Sequence, residues 1–132
     1  MSSPDAYLLD VNVLLAFGVR QHLLHRRVSA WVRAGQFSVL MTCSITELGF
    51  VRIASKAYGM NVEQASALLS FVKAETRFLT QFLDDDLDAT HLPPWVKVSD
   101  QTTDGHLIQL AHAHGAALAT LDAKIPGAFV IP

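Results

Sequence analysis

The sequence predicts an α/β protein, a parallel sheet with helices on both faces. Three observations lead there. Short apolar runs alternate with amphipathic stretches along the chain, and strand–helix alternation of that kind builds parallel sheets. Hydrophobic residues make up 51% of the composition, yet no window reaches the roughly 18 uninterrupted apolar residues of a membrane span. The apolar excess then belongs to a sheet buried on both faces or to a subunit interface. Finally, glycines stand where several of the amphipathic stretches stop, as helix C-termini favour.

The elements follow in order. AYLLDV (6–11) reads as a buried strand and NVLLAFG (12–18) as a short helix ending at Gly18. In 22–35, Leu24, Val28, Trp31 and Val32 recur at helical spacing before Gly35. FSVLMTC (37–43) is a second strand, and 44–59 a helix stopped by Gly59. Residues 61–75 form another helix, starting from Asn61, and RFLTQFL (77–83) a third strand. DDDLDATHLPPW (84–95), with four Asp and Pro93–Pro94, breaks the pattern and reads as a surface connection. A helix over 102–115 closes at Gly115, and AALATL (116–121) and AFVIP (128–132) are the last strands.

Composition narrows the function. The 132 residues are expected to form one domain, 1–132. The formal net charge of −2 provides no global basic field, so contact with nucleic acid has to be local or assisted by a bound cation. Cys43 is the one cysteine, which excludes an internal disulfide or a cysteine-rich metal site. MSSPDAY lacks the basic and apolar regions of a signal peptide, and a cytoplasmic, non-membrane setting is expected. The six histidines do not read as zinc ligands. His112 and His114 point in different directions on a helix, and His22 and His25 lack the further ligands that a tetrahedral site needs.

The chemistry lies in the acids. Parallel sheets bind ligands at the carboxyl ends of their strands, near the point where strand order reverses. Asp10 interrupts an otherwise apolar stretch, and a buried carboxylate without partners costs several kcal/mol unless it takes a proton or a cation. Its plainer role, shared with Asn12, is to cap the next helix. Ser44-Ile45-Thr46-Glu47 has the form of a capping box, which alone accounts for Ser44 and Glu47. Asp104 in a first helical turn complements the helix dipole, and Asp122 can begin the turn DAKIPG. Each acid has an ordinary explanation, but strand ends and helix starts share one edge of such a sheet, where the four can converge. Carboxylates without His or Cys suit Mg²⁺ or Mn²⁺. Such an ion activates water for in-line attack on a phosphodiester and offsets transition-state charge.

LLDVNVLLA, SITELGFVRI and TTDGHLIQLAHAHGAALATLD, taken in order, resemble the successive acidic motifs of PIN domains, above all those of the VapC toxins. The likeness covers nearly the whole chain. It implies a three-layer α/β/α sandwich with a central parallel sheet of about five strands. It also implies a Mg²⁺ (or Mn²⁺) pocket made by Asp10, Glu47, Asp104 and Asp122, and endoribonuclease activity on transfer or ribosomal RNA. Asn12 and Thr120 would hold water beside the ion or orient a carboxylate. Relatives of this kind form homodimers and are silenced by an antitoxin inserted into the active-site groove. Arg20, His22, His25 and Arg26, and Arg52 with Lys56 one helical turn apart, are candidates for contacting RNA phosphates; their plainer role is a solvated helix face. The short acidic segment before TTDG is expected to reshape the groove. Two other readings share the composition: a receiver-like or phosphatase-like Mg²⁺ phosphoryl-transfer domain, and a non-catalytic interaction module whose acids only cap helices.

Overall fold

The apolar run 6–11 divides at Asp10. Ala6–Leu9 is strand β1, and Asp10 caps helix α1, Val11–Gly18, by accepting a hydrogen bond from the Val11 amide. The computed structural model describes residues 5–75 and 80–132. The chain continues through α2 (His25–Ala34), β2 (Val39–Cys43), α3 (Ser44–Ala57), α4 (Val62–Glu75), β3 (Thr80–Leu83), α5 (Thr102–Ala113), β4 (Ala117–Thr120) and β5 (Phe129–Val130). Of the strand predicted over 77–83, residues 77–79 lie outside the described residues.

Several boundaries differ from the sequence reading. Helix α2 starts at His25 rather than 22, because 19–25 folds into successive turns: the His22 amide donates to Val19 O and the His25 amide to His22 O. Strand β2 starts at Val39, with Phe37 buried outside it. Strand β5 is only two residues long. Gly18 ends α1 as expected, for a different reason. A Cβ there would stand 3.0 Å from both Phe50 and Val72, so the glycine allows α3 and α4 to approach closely. Gly35, Gly59 and Gly115 do hold the left-handed conformation at or just after helix ends. Helix α4 opens with a reciprocal box, Gln64 N to Asn61 Oδ1 at 2.7 Å and Asn61 N to Gln64 Oε1 at 2.9 Å.

The five strands form one sheet in the order β3-β2-β1-β4-β5, and every pairing is parallel. Alternate residues face opposite layers. Tyr7, Leu9, Leu40, Ala117 and Ala119 belong to the core with α1–α4, including Phe50, Ala54 and Leu69. Leu8, Met41, Cys43 and Leu118 belong to a second core with Leu107, Leu110 and Ala111 of α5. The result is the expected three-layer α/β/α sandwich. The chain winds outward from β1 to β3 and then returns to lay β4 against the other side of β1. This reversal opens the seam at which such sheets bind ligands.

The segment 84–98 is more than a solvated connection. Leu87 and Trp95 pack on the α5-side core, and Asp85 Oδ2 meets His106 Nε2 of α5 at 2.6 Å. Gln109 of α5 donates to the carbonyl of His91. A Cβ at Gly105 would stand 2.5 Å from Val96 and 3.1 Å from Pro93, so this strap lies directly on the first turn of α5. Among the described residues, no helix is long and apolar enough to cross a membrane.

Candidate active site

Asp10 sits at the seam between β1 and β4, 6% exposed. Its amide donates to Ala119 O of β4 at 2.9 Å. One carboxylate oxygen accepts from Val11 N and the other from Thr120 Oγ1, each at 2.8 Å. The helix cap and the buried acid are therefore the same side chain. Thr120, fully buried at the end of β4, also accepts from Asn12 Nδ2 at 3.2 Å and from the Asp122 amide at 3.1 Å. Asn12 Oδ1 takes the Leu121 amide at 3.2 Å. The two polar residues expected beside the first and last acids thus join them across the seam. Asp122 begins its turn as expected, with Oδ1 accepting from Lys124 N at 2.9 Å.

Asp104, in the first turn of α5, faces the same place. Loss of solvent, then the charges of Asp10 and Asp122, push its pKa up to about 6. Burial also raises Asp10, opposed by the hydrogen bonds from Thr120 and Val11 and reinforced by Asp122. Asp104 thus feels the charges of Asp10 and Asp122, and Asp10 that of Asp122, although the three lie far apart in sequence.

Glu47 is placed differently from the other acids, and the capping box predicted for Ser44 and Glu47 does not form. The N-cap of α3 is Cys43, whose amide donates to Thr46 Oγ1 at 3.1 Å. Thr46 is buried and does the capping, which leaves Glu47 for another role. Its Oε2 accepts from Thr42 Oγ1 at 2.6 Å and from Lys73 Nζ at 2.7 Å. Two residues on, a Cβ at Gly49 would stand 2.5 Å from Val11, so this part of α3 is packed on the helix that Asp10 caps. Thr42 and Lys73 were not legible as site residues. The available signal was spacing: Lys73 follows Leu69 by four residues, which puts it on the buried side of α4.

The basic candidates lie elsewhere. Helix α1 is eight residues long, so its far end stands about 12 Å along the axis from Asp10, and Arg20 lies beyond that end. His25 Nδ1 is 2.7 Å from Ala16 O and fastens α2 to α1. His22 accepts from the Leu24 amide and stacks on Tyr58. Arg26, Arg52 and Lys56 are exposed. Arg20, His25 and Arg33 line a cavity of about 860 Å³ with Phe17, Met60 and Phe71, and none of the four acids borders it.

The donor set fits a hard divalent cation in kind, being carboxylate oxygen throughout. Burial is the main cause of the raised pKa values of Asp10 and Asp104, and the neighbouring carboxylate charges add to it; a cation would relieve that second contribution. Among the described residues, no three His, Cys, Asp or Glu side chains are grouped closely enough to enclose an ion, so binding one requires the carboxylates to draw inward.

Comparison with known proteins shows the family. The PIN domain family model matches residues 7–128. Ribonuclease VapC38 of Mycobacterium tuberculosis is 33% identical, with 89% of this chain and 86% of that protein covered. Ribonuclease VapC44 of the same organism is 35% identical, covering 89% of this chain and 87% of its own. Ribonuclease VapC39 is also 35% identical, at 89% of each. With acids in series at the seam of a 3-2-1-4-5 parallel sheet and relatives of this similarity, the chain belongs to the PIN-domain family, in its VapC-like group.

Proposed function

We propose that this protein is an endoribonuclease, dependent on Mg²⁺ or Mn²⁺, and the toxin of a toxin–antitoxin pair. The observation that carries the reading is the joining of Asp10 and Asp122 through Thr120 at the sheet's seam, with Asp104 close enough to feel both charges. Acids that serve only as helix caps have no reason to be drawn together at an electrostatic cost. The chain's similarity to the VapC ribonucleases supports ribonuclease activity.

In this reading Asp10, Asp104 and Asp122 hold the ion, with Glu47 at its edge. When bound, the ion supplies charge against the phosphate and lowers the pKa of a water. The chain's own residues do the positioning. Thr120 fixes one Asp10 oxygen and Asn12 fixes Thr120, so the carboxylate is set before substrate arrives. The strap 84–98 walls the groove beside Asp104. Exposed Arg26, Arg52 and Lys56, with Arg20 further out, steer the RNA backbone. The RNA is a transfer or ribosomal RNA recognised by local shape. A cognate antitoxin covers the groove, two copies pair, and the protein works in the cytoplasm as one domain over 1–132.

The test is digestion of total cellular RNA by purified, antitoxin-free protein with Mn²⁺ or Mg²⁺, against EDTA. Discrete fragments that vanish with EDTA, and in Asp10→Asn and Asp104→Asn proteins that remain folded, are the expected result. Normal cleavage by both variants would sink the assignment of the site.

A further inference from the structure

We propose that Lys73 acts as a built-in cation that holds Glu47 and sets the site to bind one divalent ion rather than two. This rests on reading Asp10, Asp104 and Asp122 as the ion's ligands. Glu47 Oε2 receives two short hydrogen bonds, 2.6 Å from Thr42 Oγ1 and 2.7 Å from Lys73 Nζ. Thr42 is fully buried in β2, so the threonine fixes the carboxylate from the sheet side. Lys73 reaches it from α4, anchored by the buried neighbours Leu69 and Val72. Its ammonium also stands 5.6 Å from the centre of the Phe82 ring in β3, a favourable cation–π arrangement. The ammonium is thus held by groups from three elements and is not a wandering surface charge.

This pairing divides the four acids by role. Asp10 and Asp122 are joined through Thr120 at the β1–β4 seam, with Asp104 near enough to feel both charges, and Glu47 meets a cation of its own. Two-metal phosphodiesterases place their ions about 3.5–4 Å apart and share carboxylates between them. A second ion beside Glu47 would have to enter where an ammonium is already within hydrogen-bonding distance, and like charges at such range repel strongly in a partly buried site. With one divalent ion and Lys73, the four carboxylates are nearly neutralised. Without Lys73, the same four leave enough negative charge to draw in a second ion. Lys73 is a positioning residue in this scheme, acting through Glu47.

The experiment is a Mn²⁺ titration of metal-free protein near neutral pH, following free aqueous Mn²⁺ by electron paramagnetic resonance. Circular dichroism checks each variant's fold. Wild type and Lys73→Arg are expected to bind one ion, and Lys73→Met and Lys73→Gln two. The side chain is 32% exposed, so truncation opens no large cavity; should Met disrupt folding, Gln and the wild-type count still decide. Two ions on the wild type, or one ion on every variant, overturns the role of Lys73 and leaves the aspartate site standing. A wild type that binds no Mn²⁺ overturns both.

Discussion

Thr120→Val is the substitution most revealing of how the acids are joined. It keeps the shape and removes the hydroxyl that donates to Asp10 and accepts from Asn12 and Asp122. A buried carboxylate oxygen left without its donor costs about 1–3 kcal/mol, and urea denaturation is expected to show a loss in that range. Unchanged stability would mean that Asp10 finds another donor. Asp104 makes a prediction in pH. Its pKa of about 6 in the folded protein lies above its ordinary 3.8, so the folded state binds more protons between those values. Metal-free stability therefore falls as pH rises from about 4 to 6, and the full penalty persists above 6. Solvent reaches the group and screens it, so the effect is on the order of 1 kcal/mol. Asp104→Asn is expected to flatten that part of the thermal-melting profile and to raise metal-free stability at neutral pH. An unaltered pH slope in the variant would rule this out. Asp10 and Asp122 were legible as candidates because a carboxylate after an apolar run is conspicuous. Lys73 was not, because a lysine late in an amphipathic helix looks like any solvated one until its partner is known.

At the level of elements, glycines mark the contacts that sequence patterns do not display. Gly105→Ala would drive a methyl into Val96 and Pro93, forcing the strap off α5. Such overpacking costs about 1–3 kcal/mol; faster proteolysis within 84–98 and weaker Mn²⁺ binding are expected together, since Asp104 is the adjacent residue. Tight Mn²⁺ binding and an intact strap would show that the loop has room to yield. The strap was read as surface because four aspartates and two prolines dominate its composition. Its hold on the helix comes from Leu87, Trp95 and the Asp85–His106 pair, which are sparse and distant in sequence. The strands and helices were legible in kind, and their ends less so. Helix α2 begins three residues late because backbone turns at 19–25 override a good apolar period. The box at α3 shifted by one residue because Thr46 reaches back to Cys43 where Glu47 was expected to cap.

For the whole molecule, a divalent ion that binds only the folded state should raise its stability by about 2.7 kcal/mol at one hundred times its dissociation constant. The melting temperature is expected to climb with Mn²⁺ and return with EDTA; a melting curve indifferent to Mn²⁺ would argue for the interaction-module reading. The three-layer arrangement was legible from alternation alone. Strand order was not, because nothing local in 116–121 says that it will lie beside 6–9. That placement has a consequence in time. The acids reside at positions 10, 47, 104 and 122, and the seam closes only when β4 has docked against the first strand of the chain. Contacts between such distant positions form late, since the loop entropy must be overcome before they contribute. A nascent or half-folded chain therefore carries two aspartates with no partner across the gap, and a cell making this protein meets no nuclease until the sheet is whole.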